Sequence, residues 1–465
     1  MLNRVLNCRA VSFLIVVIAL AGIVWSQDTV EARVDALVNS EMDRQKIPGL
    51  SLAVIKDGKP LIVKGYGYAN LEHRVLVKPE TIFQSGSVGK QFTAMAVLML
   101  VEEGKISLDE KIGKYLGEVP PAWSNITVRH LLTHTGGMTD YPRDFDFRKD
   151  YTEDELLKRA KEVPTASAPG EKWAYSNLGF VTLGIVIHKV SGKFYGDFLK
   201  ERVFMPLGMT TARVISEADI IPNRAAGYVL KNGEIENQEW VSPSLNTTAD
   251  GALYLSVLDM IKWDEALSAG KLISKTGYDS MWTPVKLNSG KPHPYGFGWS
   301  LRQVNGKRVI EHSGSWQGFK SHIARYPDNG LTVIVFANTS NANPDRIAGK
   351  VGVIVDPTLK PTPILDPDPK ASAAFRSVLE RILSNKIEAA LFTPPIQKAL
   401  EDREDRLLAH LKTLGPIRSF ELADTQELGD RSGWRYMVEF DSMTVLLELG
   451  KGKDGKIFHL NLEPQ

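Results

Sequence analysis

Ser87 and Lys90 stand three residues apart in Phe83-Gln84-Ser85-Gly86-Ser87-Val88-Gly89-Lys90-Gln91-Phe92. The next run, Thr93 to Val101, is apolar, built of good helix formers, and stops at Gly104. A helix is therefore expected to begin at about this pair. Residues i and i+3 share a helix face, which brings the Lys90 ammonium within reach of the Ser87 hydroxyl. Serine is a poor nucleophile until a neighbouring base takes its proton. A buried lysine whose pKa is lowered by desolvation and a nearby cation is such a base. A helix-capping serine beside a solvated lysine has the same spacing, so the pair takes its meaning from two motifs later in the chain. Tyr175-Ser176-Asn177 comes after Pro169-Gly170-Glu171-Lys172-Trp173-Ala174, and His312-Ser313-Gly314-Ser315 comes at the end of an expected strand.

The elements around these residues read as an α/β (α+β) chain. Val30 to Gln45 has helical spacing, and Pro48-Gly49 breaks it. Leu50 to Ile55 and Leu61 to Tyr68 read as two strands joined by the turn signal Asp57-Gly58. Helices are expected at Leu108–Tyr115, at Ile126–Met138 with a glycine stop, at Thr182–Val190, Tyr195–Phe204 and Leu253–Leu267. Tyr141 to Lys161 is polar and reads as a lid or insertion near the site. Tyr295–Trp299, Val309–His312, His322–Tyr326 and Leu331–Asn338 have strand composition. They are expected to continue the first hairpin as an antiparallel sheet flanked by helices, around an inserted helical region. His130 and His134 are spaced like metal ligands, but no third ligand is evident nearby, so neither metal nor cofactor is expected.

A first domain is placed at residues 28–350, a Pro-rich linker at 351–372 and a small α+β domain at 373–465. Asp356 to Pro369 alone holds five prolines. Beyond it, helices are expected at Ala374–Asn385 and Gln397–Leu411. Strands are expected at Ser419–Leu422, Trp434–Phe440, Thr444–Leu449 and Ile457–Leu462, the last pair joined at Asp454-Gly455.

The 465 residues carry 56 basic and 55 acidic side chains, a net charge of +1, which gives no support for a nucleic-acid partner. Arg4 and Arg9 precede or open the apolar stretch Val11–Val24, and polar sequence returns at Ser26-Gln27-Asp28. Residues 1–26 read as a secretory signal cleaved near Ser26, too short an apolar stretch for a membrane span. The single cysteine, Cys8, lies inside that segment. A mature chain without cysteine excludes disulfides, thiolate metal sites and a cysteine nucleophile. The expected location is a bacterial periplasm or the cell exterior, with no stable membrane span after cleavage.

In order and spacing, Ser87-x-x-Lys90, Tyr175-x-Asn177 and His312-Ser313-Gly314 resemble the serine β-lactamase and penicillin-recognising hydrolase family, most closely its class C β-lactamase, esterase and D-aminopeptidase branch. Leu131-Leu132-Thr133-His134-Thr135-Gly136-Gly137, Pro206-Leu207-Gly208-Met209 and Tyr295-Gly296-Phe297-Gly298-Trp299 resemble the same branch, and the likeness runs from roughly Val30 to Ala342. The resemblance implies a β-lactamase/transpeptidase-like fold and an acyl-enzyme mechanism. By it, Ser87 is the acylated nucleophile and Lys90 holds and helps deprotonate it. Tyr175 is a general base or proton shuttle; which of Lys90 and Tyr175 takes the first proton stays open. Asn177 bonds Lys90 and the substrate, and the backbone N–H groups of Ser87 and Ser315, the latter just after Gly314, form the oxyanion hole.

The third motif departs from the Lys-Thr-Gly common in the family. A histidine at position 312 is mostly neutral at pH 7 if unperturbed and should hold a substrate carboxylate less well. That shifts the expectation from β-lactams toward esters and peptides. The chain thus reads as a secreted serine hydrolase of an ester or of a small or D-residue peptide. The alternatives are a β-lactamase or D,D-carboxypeptidase, and a non-catalytic peptidoglycan- or peptide-binding protein of the same fold. The oligomeric state is not legible.

Overall fold

The computed structural model of the chain describes residues 29–142, 144–384, 386–401 and 414–464. The expected signal segment 1–26 and residues 402–411 of the expected helix Gln397–Leu411 lie outside the described residues. Helix α1 (Val30–Gln45) starts where the Thr29 side chain accepts from the Ala32 N–H, and ends at Lys46 in the left-handed region. Strands β1 (Gly49–Lys56), β2 (Lys59–Asn70) and β3 (Val75–Leu76) follow, then α2 (Lys90–Glu102), α3 (Val128–Leu132), α4 (Asn177–Ser191) and α5 (Val257–Ser268). The chain returns to the sheet with β4 (Ser300–Val304), β5 (Lys307–Trp316), β6 (Phe319–Tyr326) and β7 (Leu331–Ala337), and closes the main body with α6 (Pro344–Val355).

The seven-stranded sheet runs β4-β5-β6-β7-β1-β2-β3, antiparallel throughout. The expected N-terminal hairpin therefore does share a sheet with strands more than two hundred residues later, around a helical insertion. Strand β1 reads as a continuous apolar run because both its faces are covered. Ala53 and Ile55 join Ile334, Phe336 and the residues of α2, α4 and α5 in one core. Leu50, Leu52 and Val54 join Val333 and Val335 with Val34 and Val38 of α1 and Ile347 and Val351 of α6 in the other. A buried ion pair ties α5 to the sheet: Arg325 Nε lies 2.7 Å from Asp264 Oδ1, with Ser268 and Thr332 bonding the same pair.

Past α6, α7 (Pro369–Leu383), α8 (Pro394–Glu401) and the antiparallel strands β8 (Ile417–Leu428), β9 (Arg431–Phe440), β10 (Thr444–Lys451) and β11 (Ile457–Pro464) form the small C-terminal sheet domain. Its own core includes Phe375, Leu379, Ile382, Tyr436 and Leu447.

Several expected boundaries differ. The helix expected over Ile126–Met138 is only Val128–Leu132, because Thr135 N turns back to His130 O, His134 takes φ 56° and Gly137 φ 74°. Leu253–Leu255 is a strand between Phe83–Gln84 and Arg213–Val214; the helix waits for Val257, where Ser256 and Asp259 form a capping box. Of Leu108–Tyr115, only Gly113–Leu116 and not the residues before it is helical. Tyr295–Trp299 is a turn rather than a strand. Gly298 (φ 74°) lies where a Cβ would sit 2.9 Å from the Lys90 carbonyl oxygen. Residues 351–355 belong to α6, and α7 already begins at Pro369.

Candidate active site

Ser87 lies on a 3-10 turn, Gly86–Gly89, and Lys90 is the first residue of α2. The turn is wedged against β5 by two glycines. Gly86 has φ 49°, and a Cβ there would stand 2.3 Å from Ser315 N; one on Gly314 would stand 2.0 Å from Ser85 O. Only bare backbone fits, so the Ser315 peptide is held beside Ser87. Gly86→Ala forces an L side chain into a left-handed position and onto a backbone nitrogen. Ester or amide hydrolysis by this variant is expected to fall by at least about tenfold, with a lowered midpoint in urea denaturation.

Lys90 is fully buried. Its Nζ lies 3.0 Å from Ser87 Oγ, 2.7 Å from Asn177 Oδ1 and 2.5 Å from the Asp250 carbonyl oxygen. Asn177 is the first residue of α4, set in place by Ser176, whose hydroxyl caps that helix. The Asn177 amide is oriented from behind by Asp140: Nδ2 donates to Oδ2 at 2.8 Å and the backbone N–H to Oδ1 at 3.2 Å. Tyr175 stands over the lysine, its ring centroid 4.9 Å from Nζ. The structure thus brings Ser87, Lys90, Tyr175 and Asn177 together, and His312, Gly314 and Ser315 reach the same cleft on β5.

The cleft has two lobes that meet at Ser87 and Ser315. One, of about 420 Å³, is walled by Tyr141, Phe145, Phe147 and Trp316 and is lined also by Asp140 and Asp250. Burial raises the Asp250 carboxyl pKa, with Lys90 opposing. Trp316 is steadied by Asn246, which is held in turn by Glu217. The other lobe, of about 650 Å³, is lined by Trp173, Tyr175, Tyr295, His312 and Lys320 among others. His312 is only 6% exposed. Its Nε2 lies 2.9 Å from Tyr295 Oη and its Nδ1 2.7 Å from the Ser313 carbonyl oxygen. The reading of Tyr141–Lys161 as a segment near the site corresponds in part to this aromatic wall; Glu153–Glu162 forms a helix behind it.

Burial, with Lys90 second, pushes the His312 pKa down to about 3. Burial also lowers His134 well below its usual value and His293 to about 4. The unfolded chain takes up protons on these rings below about 6.5, and the folded chain refuses them. Stability is then complete above pH 6.5 and declines as pH falls toward 4. Thermal denaturation across that range is expected to show the decline, and His312→Gln to shrink it.

The sequence alone assigns no role to Asp140, the Asp250 carbonyl, His134 or Tyr295. His134 and Tyr295 fall in stretches that carry the family likeness; Asp140 carries no pattern, and a backbone carbonyl none at all.

A buried lysine bonded to a serine, at the mouth of a cleft between an antiparallel sheet and a helical insertion, defines a serine hydrolase of the β-lactamase fold. The chain belongs to the Beta-lactamase family, whose model matches residues 34–353. It is 31% identical over 314 residues to penicillin-binding protein 4* of Bacillus subtilis (strain 168), covering 64% of this chain and 69% of that protein. It is 27% identical over 465 residues to a D-aminopeptidase of Gluconobacter oxydans (strain 621H), covering 91% and 86%. Among solved structures it is similar to an octameric penicillin-binding protein homologue from Pyrococcus abyssi. There the TM-score is 0.65 and the identity 26%, over 94% of this chain and 98% of the other.

Proposed function

We propose that Ser87 is the nucleophile of a secreted hydrolase that cleaves esters and small or D-residue peptides and amides through an acyl-enzyme. The observation that carries this is the set of three acceptors around Lys90 Nζ. Asn177 Oδ1 and the Asp250 carbonyl occupy two of its three positions, so the third points at Ser87 Oγ. As a neutral amine, Lys90 aims its lone pair at the serine proton; as an ammonium, it has an acceptor for every proton. Lys90 therefore takes the first proton as Oγ attacks the substrate carbonyl. The Ser87 and Ser315 N–H groups receive the oxyanion. Tyr175, above Lys90, passes the proton to the leaving group as the carbonyl–leaving-group bond breaks. Water then repeats the sequence on the acyl-enzyme.

The aromatic lobe, lined also by two aspartates, suits an acyl group that carries an apolar side chain and an amine, in keeping with the D-aminopeptidase among the relatives. His312, held neutral, supplies no charge for a β-lactam carboxylate.

The test is a hydrolysis panel on the purified chain: D- and L-aminoacyl nitroanilides, short nitrophenyl esters and a chromogenic cephalosporin. Turnover of D-aminoacyl or ester substrates, with the cephalosporin far slower, is expected. Rapid cephalosporin turnover with the others untouched overturns the substrate reading. Secretion predicts that chain recovered from the periplasm or medium begins close to Gln27.

A further inference from the structure

Behind the cleft, three buried side chains and two backbone groups form one continuous line. The Ser176 N–H lies 3.1 Å from His134 Nδ1, His134 Nε2 lies 3.2 Å from Tyr295 Oη, and Tyr295 Oη lies 2.9 Å from His312 Nε2. His312 Nδ1 ends the line 2.7 Å from the Ser313 carbonyl oxygen. His134 and Tyr295 are 2% exposed.

The two ends dictate every proton between them. A backbone N–H only donates, so His134 Nδ1 accepts and its hydrogen sits on Nε2. Nε2–H donates to Tyr295 Oη. The hydroxyl has one hydrogen, which it gives to His312 Nε2. The His312 hydrogen is then on Nδ1, facing a carbonyl that only accepts. The reverse order would set an imidazole N–H against the Ser176 N–H. Protonating His312 on Nε2 would leave the Tyr295 oxygen facing an N–H on either side, with no acceptor on this line for its own hydrogen. The line therefore has one arrangement of hydrogens, with both imidazoles neutral.

We infer that Tyr295 and His134 are positioning residues that hold His312 as its neutral Nδ1–H tautomer, both ring nitrogens occupied, so that this strand position offers the cleft neither charge nor a ring proton. The groups around the two rings act in the same sense. Lys90, His322 and Glu311 face His312, and Lys90 and His293 face His134, with the Tyr175 ring 4.2 Å away, centroid to centroid. Of these, Glu311 alone favours an imidazolium, and it is engaged by Arg302 on β4. The consequence for specificity rests on the reading of Ser87 as nucleophile: leaving groups without a carboxylate are served at a rate independent of His312 titration. The tautomer itself does not rest on that reading.

The experiment is long-range proton–nitrogen NMR on the full chain labelled with nitrogen-15 histidine, assigned with His312→Gln and His134→Gln. The expected result is His134 as Nε2–H and His312 as Nδ1–H, both unchanged from pH 5 to 8. Tyr295→Phe removes the hydroxyl and keeps the ring. In that variant His312 Nε2 loses its donor, and its nitrogen-15 resonance is expected to move away from the parent's position. The variant's kcat/KM on a neutral nitrophenyl ester should fall by about tenfold, while Ser87 still takes a fluorophosphonate label. His312 in the Nε2–H form, or titrating normally in the parent chain, overturns the inference. So does a Tyr295→Phe chain whose His312 nitrogen-15 signals match the parent's. A parent chain that hydrolyses no ester refutes the proposed function and leaves the tautomer measurement standing.

Discussion

Ser87→Ala is expected to lower kcat by about 10³-fold or more, as removal of an activated nucleophile does. The fold should be untouched. Ser87 is only half-buried, on a turn whose shape is set by Gly86, by the buried Ser85 hydroxyl bonded to Gly251 O, and by contact with β5. Its thermal midpoint should stay near that of the parent, and a substrate of the aromatic lobe should still bind. Single-turnover kinetics with equilibrium binding of the same substrate measures both. Loss of activity with loss of fold would leave Ser87 a structural residue instead.

Lys90→Ala carries the second large effect, and here chemistry and stability move together. General-base catalysis contributes about 10²–10⁴-fold, so hydrolysis should fall within that range or beyond. Stability should fall as well. The buried amine is the donor for Asn177 Oδ1 and the Asp250 carbonyl, and a buried acceptor left without a partner costs about 1–3 kcal/mol. Urea denaturation of Lys90→Ala beside Ser87→Ala separates the two variants: only the first should show a lowered midpoint. A fluorophosphonate should still label Lys90→Ala, but more slowly, because the serine remains and its proposed base does not.

Much of this architecture is legible in the sequence because apolar patterning and motif spacing are local properties. Leu50–Ile55 and Leu331–Asn338 read as strands from their apolar, strand-type composition, and they are in fact neighbours in the sheet. Ser87 and Lys90 read as a pair because the chain turns helically between them. What is not legible depends on contacts between distant residues. Asp140 acts on Asn177 from 37 positions away, with nothing in its own loop to mark it. Asp250 contributes a carbonyl oxygen, a group every residue has. His134 reads as the end of a helix because Thr133-His134-Thr135 continues the residue pattern before it. The left-handed turn at His134 appears only once its ring is drawn to Tyr295, 161 residues on. The Tyr295 stretch carries strand-type residues, yet Gly298 serves a close approach to α2 and Gly296 one to the Met281 carbonyl oxygen.

The most direct measurement is the intact mass of the chain after treatment with a fluorophosphonate, followed by peptide mapping. One adduct per chain on the peptide that contains Ser87, absent from Ser87→Ala, is the result that acylation at this residue requires. An unmodified chain that nevertheless turns over substrate, or an adduct on another serine, would contradict it.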